Sequence, residues 1–238
     1  MTHKDEYDRW HDRYDVDREA DTPWHRLVFA HLDVERDLRG KRVMEIACGR
    51  GGFAAKLAGC ASPPRALIAA DFSLSAVKKG RDFARDVSVI HWEVVDAQSL
   101  SHPSESFDTV ISCETVEHLP DPQKALTEFA RVLKPGGRLL LTTPNYMGPL
   151  GLYRAYARVR GRPYTEEGQP INNLTFLPRT LTWLRRAQFT VSTVDAVGHY
   201  LPWRGRPPIE FASIGKWPLL RWFALHSLVV GEKHAGPL

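Results

Sequence analysis

The chain has 238 residues, of which 43% are hydrophobic and 25% are charged, and its formal net charge is +4. These values exclude a disordered or collagen-like chain and favour a globular protein with one core in a single domain, 1–238. Three cysteines without a C-x-x-C spacing predict no disulfide framework, so we expect a reducing compartment. Because the chain shows no apolar run of about 18 residues and no leader-like N-terminal segment, we predict a cytoplasmic protein.

Four parts of the domain differ in their residue patterns. Residues 1–40 are polar and aromatic, and we expect them to form a helical cap. In 41–145, short apolar runs alternate with helical patterns, which is typical of βαβ units and a parallel sheet. Residues 146–177 are rich in Gly, Pro and Arg and predict a lid or substrate insertion over the carboxyl edge of the sheet. Residues 178–238 are expected to complete the sheet.

Strand and helix signals follow one another through the core and the C-terminal part. Predicted strands cover 42–47, 66–70, 87–95, 107–113, 138–143, 190–197 and 227–232. Predicted helices run from the first glycine turn to Ala58, from the cap Ser73 onward, from Asp121-Pro122 to Leu133 and from Pro178 to Ala187. The segment 134–137, Lys-Pro-Gly-Gly, ends the third of these helices and turns the chain. This order predicts an α/β fold with a mostly parallel sheet.

A glycine turn follows the first predicted strand. Gly49 and Gly51 let the backbone approach a ligand closely, and open parallel sheets bind ligands at the carboxyl ends of their strands. Residues 49–54 also fit a dinucleotide fingerprint, G-x-G-x-x-A, with Asp71 at the required distance, so an NAD(P)-dependent oxidoreductase is an alternative. Glu45 opposes this alternative, because an acid inside the turn would repel a pyrophosphate. A cationic ligand such as a sulfonium amino acid suits Glu45 better.

Further acids end the next two predicted strands. Asp71 can accept both hydroxyl protons of a ribose in one bidentate contact, and Phe72 beside it is placed to lie against an adenine face. Asp96 and Ala97 end the third strand, and we expect them near the adenine amino group. For each acid alone, a helix cap or a solvated loop charge is an equally good interpretation. Acids at three successive strand ends favour a binding cleft.

Together these motifs resemble those of the class I S-adenosylmethionine-dependent methyltransferases. The matching segments are 45–51, Asp71, Asp96, 107–111, 117–122 and 133–137. The resemblance implies a Rossmann-like seven-stranded, mostly parallel sheet with one antiparallel edge strand, helices on both faces and S-adenosylmethionine as cofactor. It also places Ala47 and Cys113 beside that cofactor. The family usually has glycine at Ala47, and because alanine favours negative φ, we expect the turn to differ slightly there.

A second, looser resemblance concerns the segments 143–145, 176–181 and 187–189. They are similar to the ubiquinone-pathway O-methyltransferase branch, although Gln188 stands where that branch favours glycine. We therefore expect O-methylation of a small-molecule hydroxyl. A nitrogen or carbon acceptor, an RNA 2′-hydroxyl and a non-catalytic binding module are the alternatives. Nucleic acid is disfavoured as a partner, because the basic residues lack interleaved base-stacking motifs.

The cluster Glu114, Glu117 and His118 is the predicted centre of catalysis. On a helix these positions, i, i+3 and i+4, share a face. Two carboxylates and an imidazole could bind a divalent metal (Mg²⁺, Zn²⁺ or Mn²⁺), and a similar E-x-x-E-H arrangement does so in the ubiquinone-pathway and small-RNA methyltransferases. Residues 169–173 supply no histidine as a further ligand. Three interpretations stay open: a metal site, catalysis by His118 and Glu117 without metal, and a structural role.

Two further contacts are predicted around the cofactor. Tyr7, Trp10 and Tyr14 could close over the sulfonium by cation–π contact, with core packing as an equal alternative. Arg26 is a candidate partner for the methionyl carboxylate.

Basic residues cluster after the core, in 154–162 and 179–186. They form either a solvated face or a contact with a partner or a membrane surface. The sequence leaves the oligomeric state open.

Overall fold

A seven-stranded sheet organises the computed structural model, which describes residues 3–14, 19–162, 168–201, 209–210 and 217–234. The strands are β1 (Arg42–Ile46), β2 (Ala66–Asp71), β3 (Ile90–Val94), β4 (Phe107–Ser112), β5 (Leu133–Pro144), β6 (Phe189–Val197), β7 (Tyr200–Leu201), β8 (Ile209–Glu210) and β9 (His226–Lys233). The order across the large sheet is β3-β2-β1-β4-β5-β9-β6, and β7 pairs separately with β8.

The sheet is parallel from β3 to β5, while β9 runs antiparallel to both β5 and β6. The predicted α/β class and the Rossmann-like, mostly parallel sheet are therefore confirmed. The expected position of the antiparallel strand was wrong, because β9 lies inside the sheet and β6 forms the edge. Burial explains this order. Residues 227–231 of β9 are all buried, whereas β6 is only partly buried.

Seven helices are present in the described part of the chain, together with short helical turns. They are α1 (His3–Arg13), α2 (Pro23–His31), α3 (Gly52–Ala58), α4 (Leu74–Phe83), α5 (Pro122–Val132), α6 (Pro149–Val159) and α7 (Leu177–Arg186). A π-helical turn covers Val34–Leu38, and 3₁₀ turns cover Val116–His118 and Leu220–Phe223. None of these helices is long and apolar enough to cross a membrane.

The hydrophobic core has one part on each face of the sheet. Neighbouring strand residues point to opposite faces, and Val43 and Met44 of β1 illustrate the division. Val43 belongs to the cluster that holds Phe53 of α3, and Met44 to the one that holds Phe129 of α5 and Leu184 of α7. Both faces of β1 are thereby covered, and its carboxyl end is left to form the site.

Two strand boundaries differ from the predicted ones by more than one residue. The third strand begins at Ile90 rather than Val87, because Val87 donates to the Ala84 carbonyl and closes a turn after α4. The fifth strand begins at Leu133 rather than Arg138, because Leu133 already pairs with Phe107. A register shift in β4 then accommodates the glycine-rich segment that was predicted as a separate turn.

Five described residues other than glycine adopt left-handed backbone, and two of them stand where the family favours glycine. Ala47 has φ +58° and Gln188, two residues after the end of α7, has φ +64°. The expectation that the turn at Ala47 avoids positive φ was therefore wrong. The hydrogen bond from the Cys48 amide to the Ala70 carbonyl, 3.0 Å long, anchors the turn on β2 and holds it in this form. A left-handed residue other than glycine costs about 1–2 kcal/mol.

We expect Gln188→Gly to raise the free energy of unfolding by about 1 kcal/mol, because glycine adopts positive φ without steric cost. The Gln188 side chain is exposed, so little contact is lost. Gln188→Ala is the matched control, since it removes the side chain but keeps the strain, and it should leave stability unchanged. Urea unfolding measures both. Equal midpoints for the two variants would contradict the strain argument.

Candidate active site

A cavity of about 780 Å³ opens at the carboxyl edge of the sheet, within the size range of small-molecule sites. Most of the residues predicted to act in binding or catalysis line it: Glu45, Ala47, Gly49, Asp71, Phe72, Asp96, Ala97, Cys113, Glu114 and His118. Gly51 of the glycine turn and Glu117 of the catalytic cluster lie outside the lining. A side chain at Gly51 would collide with the ring of Trp92, so this glycine serves close packing behind the turn.

The end of the cavity under β1 and β2 is a cradle of backbone amides and acids. Asp71 accepts hydrogen bonds from the Gly49 amide (2.9 Å) and from the Ser73 amide (2.8 Å), one on each carboxylate oxygen. Gly49 has φ +52°, which lets the turn bring its amide to the end of β2. Asp96 accepts from the Gln98 amide at 2.8 Å. The acids at three strand ends therefore face one space, as the sequence predicts.

The environment of Glu45 in this cradle shifts its pKa strongly. It is 3% exposed, and its Oε2 atom has no hydrogen-bond partner among the residues that the structure describes. Burial, together with the charge of Asp71, raises the pKa of Glu45 to about 8. Burial also raises the pKa of Asp71. A cation beside these carboxyl groups would offset the cost of their burial, so the cradle suits a positively charged ligand.

We expect binding of S-adenosylhomocysteine to tighten as pH rises from 6 to about 7.5. Glu45 is mainly protonated below pH 8. An ammonium group of the ligand placed beside it would favour the ionised carboxylate, so binding would displace a proton from Glu45. Calorimetry in two buffers of different ionisation enthalpy measures this proton release. Glu45→Gln serves as the control and should remove the pH dependence. A proton release that persists in this variant would assign it to another group.

Helix α1 contributes side chains that cover the cradle. Tyr7, Trp10 and His11 line the cavity, and the Tyr7 hydroxyl donates to the His118 carbonyl at 3.2 Å. Arg50 donates to the carbonyl oxygens of His11 (2.6 Å) and Tyr14. Tyr14 is outside the lining, so the aromatic contact predicted for three residues reduces to Tyr7 and Trp10.

The prediction that Arg26 pairs with the methionyl carboxylate was wrong. Its side chain is exposed and lies 3.4 Å from Asp21, because this face of α2 points away from the sheet. The preceding residue, His25, lines the cavity instead and stacks on Phe53. Burial lowers the pKa of His25 to about 4. Sequence reasoning also missed Arg50, a buried cation within the glycine turn that contributes to the lining.

The other end of the cavity contains two imidazole groups. His118 places its Nδ1 atom 2.7 Å from the Ile171 carbonyl oxygen, and burial lowers the pKa of His118. His226, at the start of β9, places its Nδ1 atom 2.8 Å from Glu114 Oε2, and its ring lies 4.7 Å from that of Trp24. His226 was not predicted as a site residue, because a single histidine more than 100 positions from Glu114 forms no sequence motif with it.

Apolar residues form much of the wall around these histidines, beside the polar Glu114 and Gln169. They are Leu119, Pro144, Leu150, Ile171 and Leu225. Two of them, Leu150 and Ile171, belong to the segment that was predicted as a lid. Residues 163–167 of that segment lie outside the described residues.

The predicted metal cluster does not assemble in the described part of the chain. Glu114 has φ +46° and pairs with His226, while Glu117 is fully buried and accepts a hydrogen bond from Thr143 at 3.1 Å. His118 Nε2 lies 3.6 Å from Glu117 Oε1. No three potential ligands are grouped for a metal ion among these residues. Glu114, Glu117 and His118 do not share a helix face as expected, because only a 3₁₀ turn and not an α-helix follows Glu114.

The sheet order, the glycine turn and the acids at neighbouring strand ends define a class I methyltransferase that uses S-adenosylmethionine. Comparisons with known proteins agree. A family model described as a methyltransferase domain matches residues 44–141. The chain is 30% identical to the ubiquinone biosynthesis O-methyltransferase of Xanthomonas oryzae pv. oryzae over 190 residues, which is 77% of this chain and 78% of that protein. The chain belongs to the S-adenosylmethionine-dependent methyltransferase family.

Two other comparisons concern a second relative and the fold. The ubiquinone/menaquinone biosynthesis C-methyltransferase of Pasteurella multocida is 34% identical over 121 residues, half of this chain and 44% of that protein. A Haloferax volcanii methyltransferase, solved in complex with the Trm112 methyltransferase activator, superposes with a TM-score of 0.75 at 18% identity, and the match covers all of both chains. Since that identity is low, this structural likeness concerns the fold alone.

Proposed function

We propose that this protein transfers the methyl group of S-adenosylmethionine to a hydroxyl group of a small molecule, in the cytoplasm. The observation that carries the proposal is an apolar acceptor end of the cavity that contains the imidazoles of His118 and His226. Transfer to a hydroxyl oxygen needs a group that takes the proton, and neutral imidazole does this near neutral pH. The similarity to an O-methyltransferase supports the same acceptor atom.

The cradle residues are assigned to the cofactor on the basis of their positions. Asp71, at the end of β2, would accept the ribose hydroxyl protons, and Phe72 would lie against the adenine. Asp96, with Ala97, would contact the adenine amino group. Glu45 would face the amino-acid end.

The turn itself completes the cofactor contacts. Gly49 and Ala47 would let the backbone lie close to the ligand, with Cys113 at the adjacent strand end. When bound, S-adenosylmethionine supplies an electrophilic methyl group, and the protein must align the acceptor with it and exclude water.

His118 is proposed as the catalytic base. With Nδ1 donating to the Ile171 carbonyl, the lone pair resides on Nε2, and the lowered pKa keeps this ring neutral at physiological pH. Glu117 Oε1 lies 3.6 Å from Nε2, and a negative charge at this distance would stabilise the imidazolium ion that forms on proton transfer. Thr143 donates to the other Glu117 oxygen and holds the carboxylate in place.

A label experiment tests the acceptor atom. Incubation with pools of hydroxylated and amine-bearing aromatic compounds and cofactor labelled in the methyl group is expected to give products that carry the label on oxygen, identified by mass spectrometry and NMR. Label on ring carbon would instead favour the chemistry named for the C-methyltransferase relative, and label on nitrogen would likewise overturn the proposal. Because the described residues group no metal ligands, we expect the same turnover in the presence of a chelator.

A further inference from the structure

The hydroxyl group of Tyr7 lies between the two main-chain segments that hold His118. It donates to the His118 carbonyl oxygen at 3.2 Å, and the main chain of Ile171 also hydrogen-bonds it. Ile171 is the residue whose own carbonyl oxygen lies 2.7 Å from His118 Nδ1. Because His118 and Ile171 are 53 positions apart, the two segments meet only through tertiary contacts, and the Tyr7 hydroxyl is one of them.

Asn173 joins the same two segments independently of Tyr7. Its backbone amide donates to the Glu117 carbonyl oxygen at 2.7 Å, and its side chain donates to the Leu119 carbonyl oxygen at 2.6 Å. These bonds remain when the Tyr7 hydroxyl is removed. Loss of that hydroxyl should therefore loosen the surroundings of His118 without separating the segments.

The Tyr7 hydroxyl stays protonated at physiological pH. Burial raises the pKa of Tyr7 above its usual value, the hydrogen bond with Ile171 lowers it by less, and the charge of Glu117 raises it again. A neutral phenol keeps its proton for donation to the His118 carbonyl. The ring of Tyr7 stands edge-on to Phe72, with the ring centroids 6.5 Å apart, so the side chain is also packed against the cofactor end of the cavity.

Helix α1, which carries Tyr7, is hydrogen-bonded to the cofactor side of the site. Asp8 accepts hydrogen bonds from the Ser73 hydroxyl and from the Ser75 amide (3.1 Å), at the start of α4. The Ser73 amide in turn donates to Asp71, at the end of β2. A continuous set of contacts thus leads from Asp71 through Ser73 and Asp8 to the adjacent Tyr7.

We propose that Tyr7 is a positioning residue, whose hydroxyl holds the main chain of His118 and Ile171 so that the imidazole is correctly placed for proton transfer. This role rests on the methyl transfer to oxygen and on the base proposed above. The hydroxyl acts through the main chain and does not touch the reacting atoms. Through α1, the same contact makes the geometry of the base depend on the cofactor cradle.

Tyr7→Phe tests the role, because it removes the hydroxyl and keeps the ring beside Phe72. We expect kcat to fall about 3- to 10-fold, the effect of one lost hydrogen bond. The KM for the acceptor and the affinity for S-adenosylhomocysteine should stay the same. Tyr14→Phe is the matched control, since it removes a hydroxyl directly after α1 and outside the cavity lining. Its kcat should equal that of the parent.

The double variant Y7F/H118Q separates positioning from a direct role. If Tyr7 acts through His118, the double variant should be no slower than His118→Gln alone. Losses that multiply would show that Tyr7 contacts the acceptor or the cofactor itself and would overturn the proposal. An unchanged kcat in Tyr7→Phe, or a loss confined to the KM for the acceptor, would overturn it as well.

NMR titration of the His118 ring tests the positioning without any turnover. Burial lowers the pKa of His118 in the parent, and looser surroundings in Tyr7→Phe should admit water and move that pKa up toward 6.5. The acids beside His118, Glu114 and Glu117, are unchanged in this variant. Identical titrations in the parent and in Tyr7→Phe would reject the positioning role. A shifted titration in a protein that transfers no methyl group to oxygen would reject only the proposed function.

Discussion

Replacing His118 with glutamine lowers kcat by about 10²- to 10⁴-fold, the range expected when a positioned general base is lost. Glutamine keeps a side chain that can donate to the Ile171 carbonyl, so the local contact survives while the basic nitrogen is removed. The affinity for S-adenosylhomocysteine should stay the same. Steady-state kinetics at saturating cofactor and calorimetry measure the two quantities separately.

The pH profile tests the same role. Burial lowers the pKa of His118, so its neutral, basic form persists to lower pH than that of an ordinary histidine. The acid limb of kcat should therefore lie below pH 6.5, the usual histidine value, and it should disappear in His118→Gln. His226→Gln is the comparison, since His226 lies at the same end of the cavity. If only His226→Gln abolished turnover, the base would be His226, held by Glu114, and the assignment of His118 would be wrong.

Replacing Asp71 with asparagine weakens cofactor binding by about 10- to 100-fold, which corresponds to roughly 1.5–3 kcal/mol for hydrogen bonds to a charged group. Asparagine retains one carbonyl oxygen, so only one of the bonds from the Gly49 and Ser73 amides can be kept. The loss therefore combines a missing ribose contact with a looser turn. Calorimetry with S-adenosylhomocysteine gives the affinity.

A matched control separates these effects from the change in net charge. Asp21→Asn makes the same chemical change at an exposed position near Arg26 that does not line the cavity. We expect its affinity for S-adenosylhomocysteine to equal that of the parent. Unchanged affinity in Asp71→Asn would mean that the ribose lies elsewhere. Thermal unfolding of each variant shows whether the fold is intact.

The sheet and the cradle could be predicted because both depend on local patterns. Apolar runs and glycines locate the ends of β1 and β2, and a parallel sheet brings such ends to one edge regardless of the distant contacts. Glu45, Asp71 and Asp96 therefore come together as the sequence predicts. The backbone of Ala47 could not be predicted in this way. The hydrogen bond from the Cys48 amide to Ala70 of β2 holds the turn at positive φ, against the usual preference of alanine.

The acceptor end could not be predicted to the same extent, because it is built from distant segments. His226 reaches Glu114 only through the pairing of β9 with β5. The metal cluster assumed an α-helix, and the left-handed backbone of Glu114 directs its carboxylate away from Glu117 instead. Which side of α2 faces the sheet likewise depends on packing, so His25 and not Arg26 lines the cavity.

A crystal structure with S-adenosylhomocysteine bound tests the central claim most directly. The account predicts the ribose hydroxyls within hydrogen-bonding distance of Asp71, the adenine between Phe72 and Asp96, and the sulfur facing the space in front of His118. A ligand bound away from Glu45 and Asp71, or a cleft that stays filled by protein side chains at saturating ligand, would contradict it.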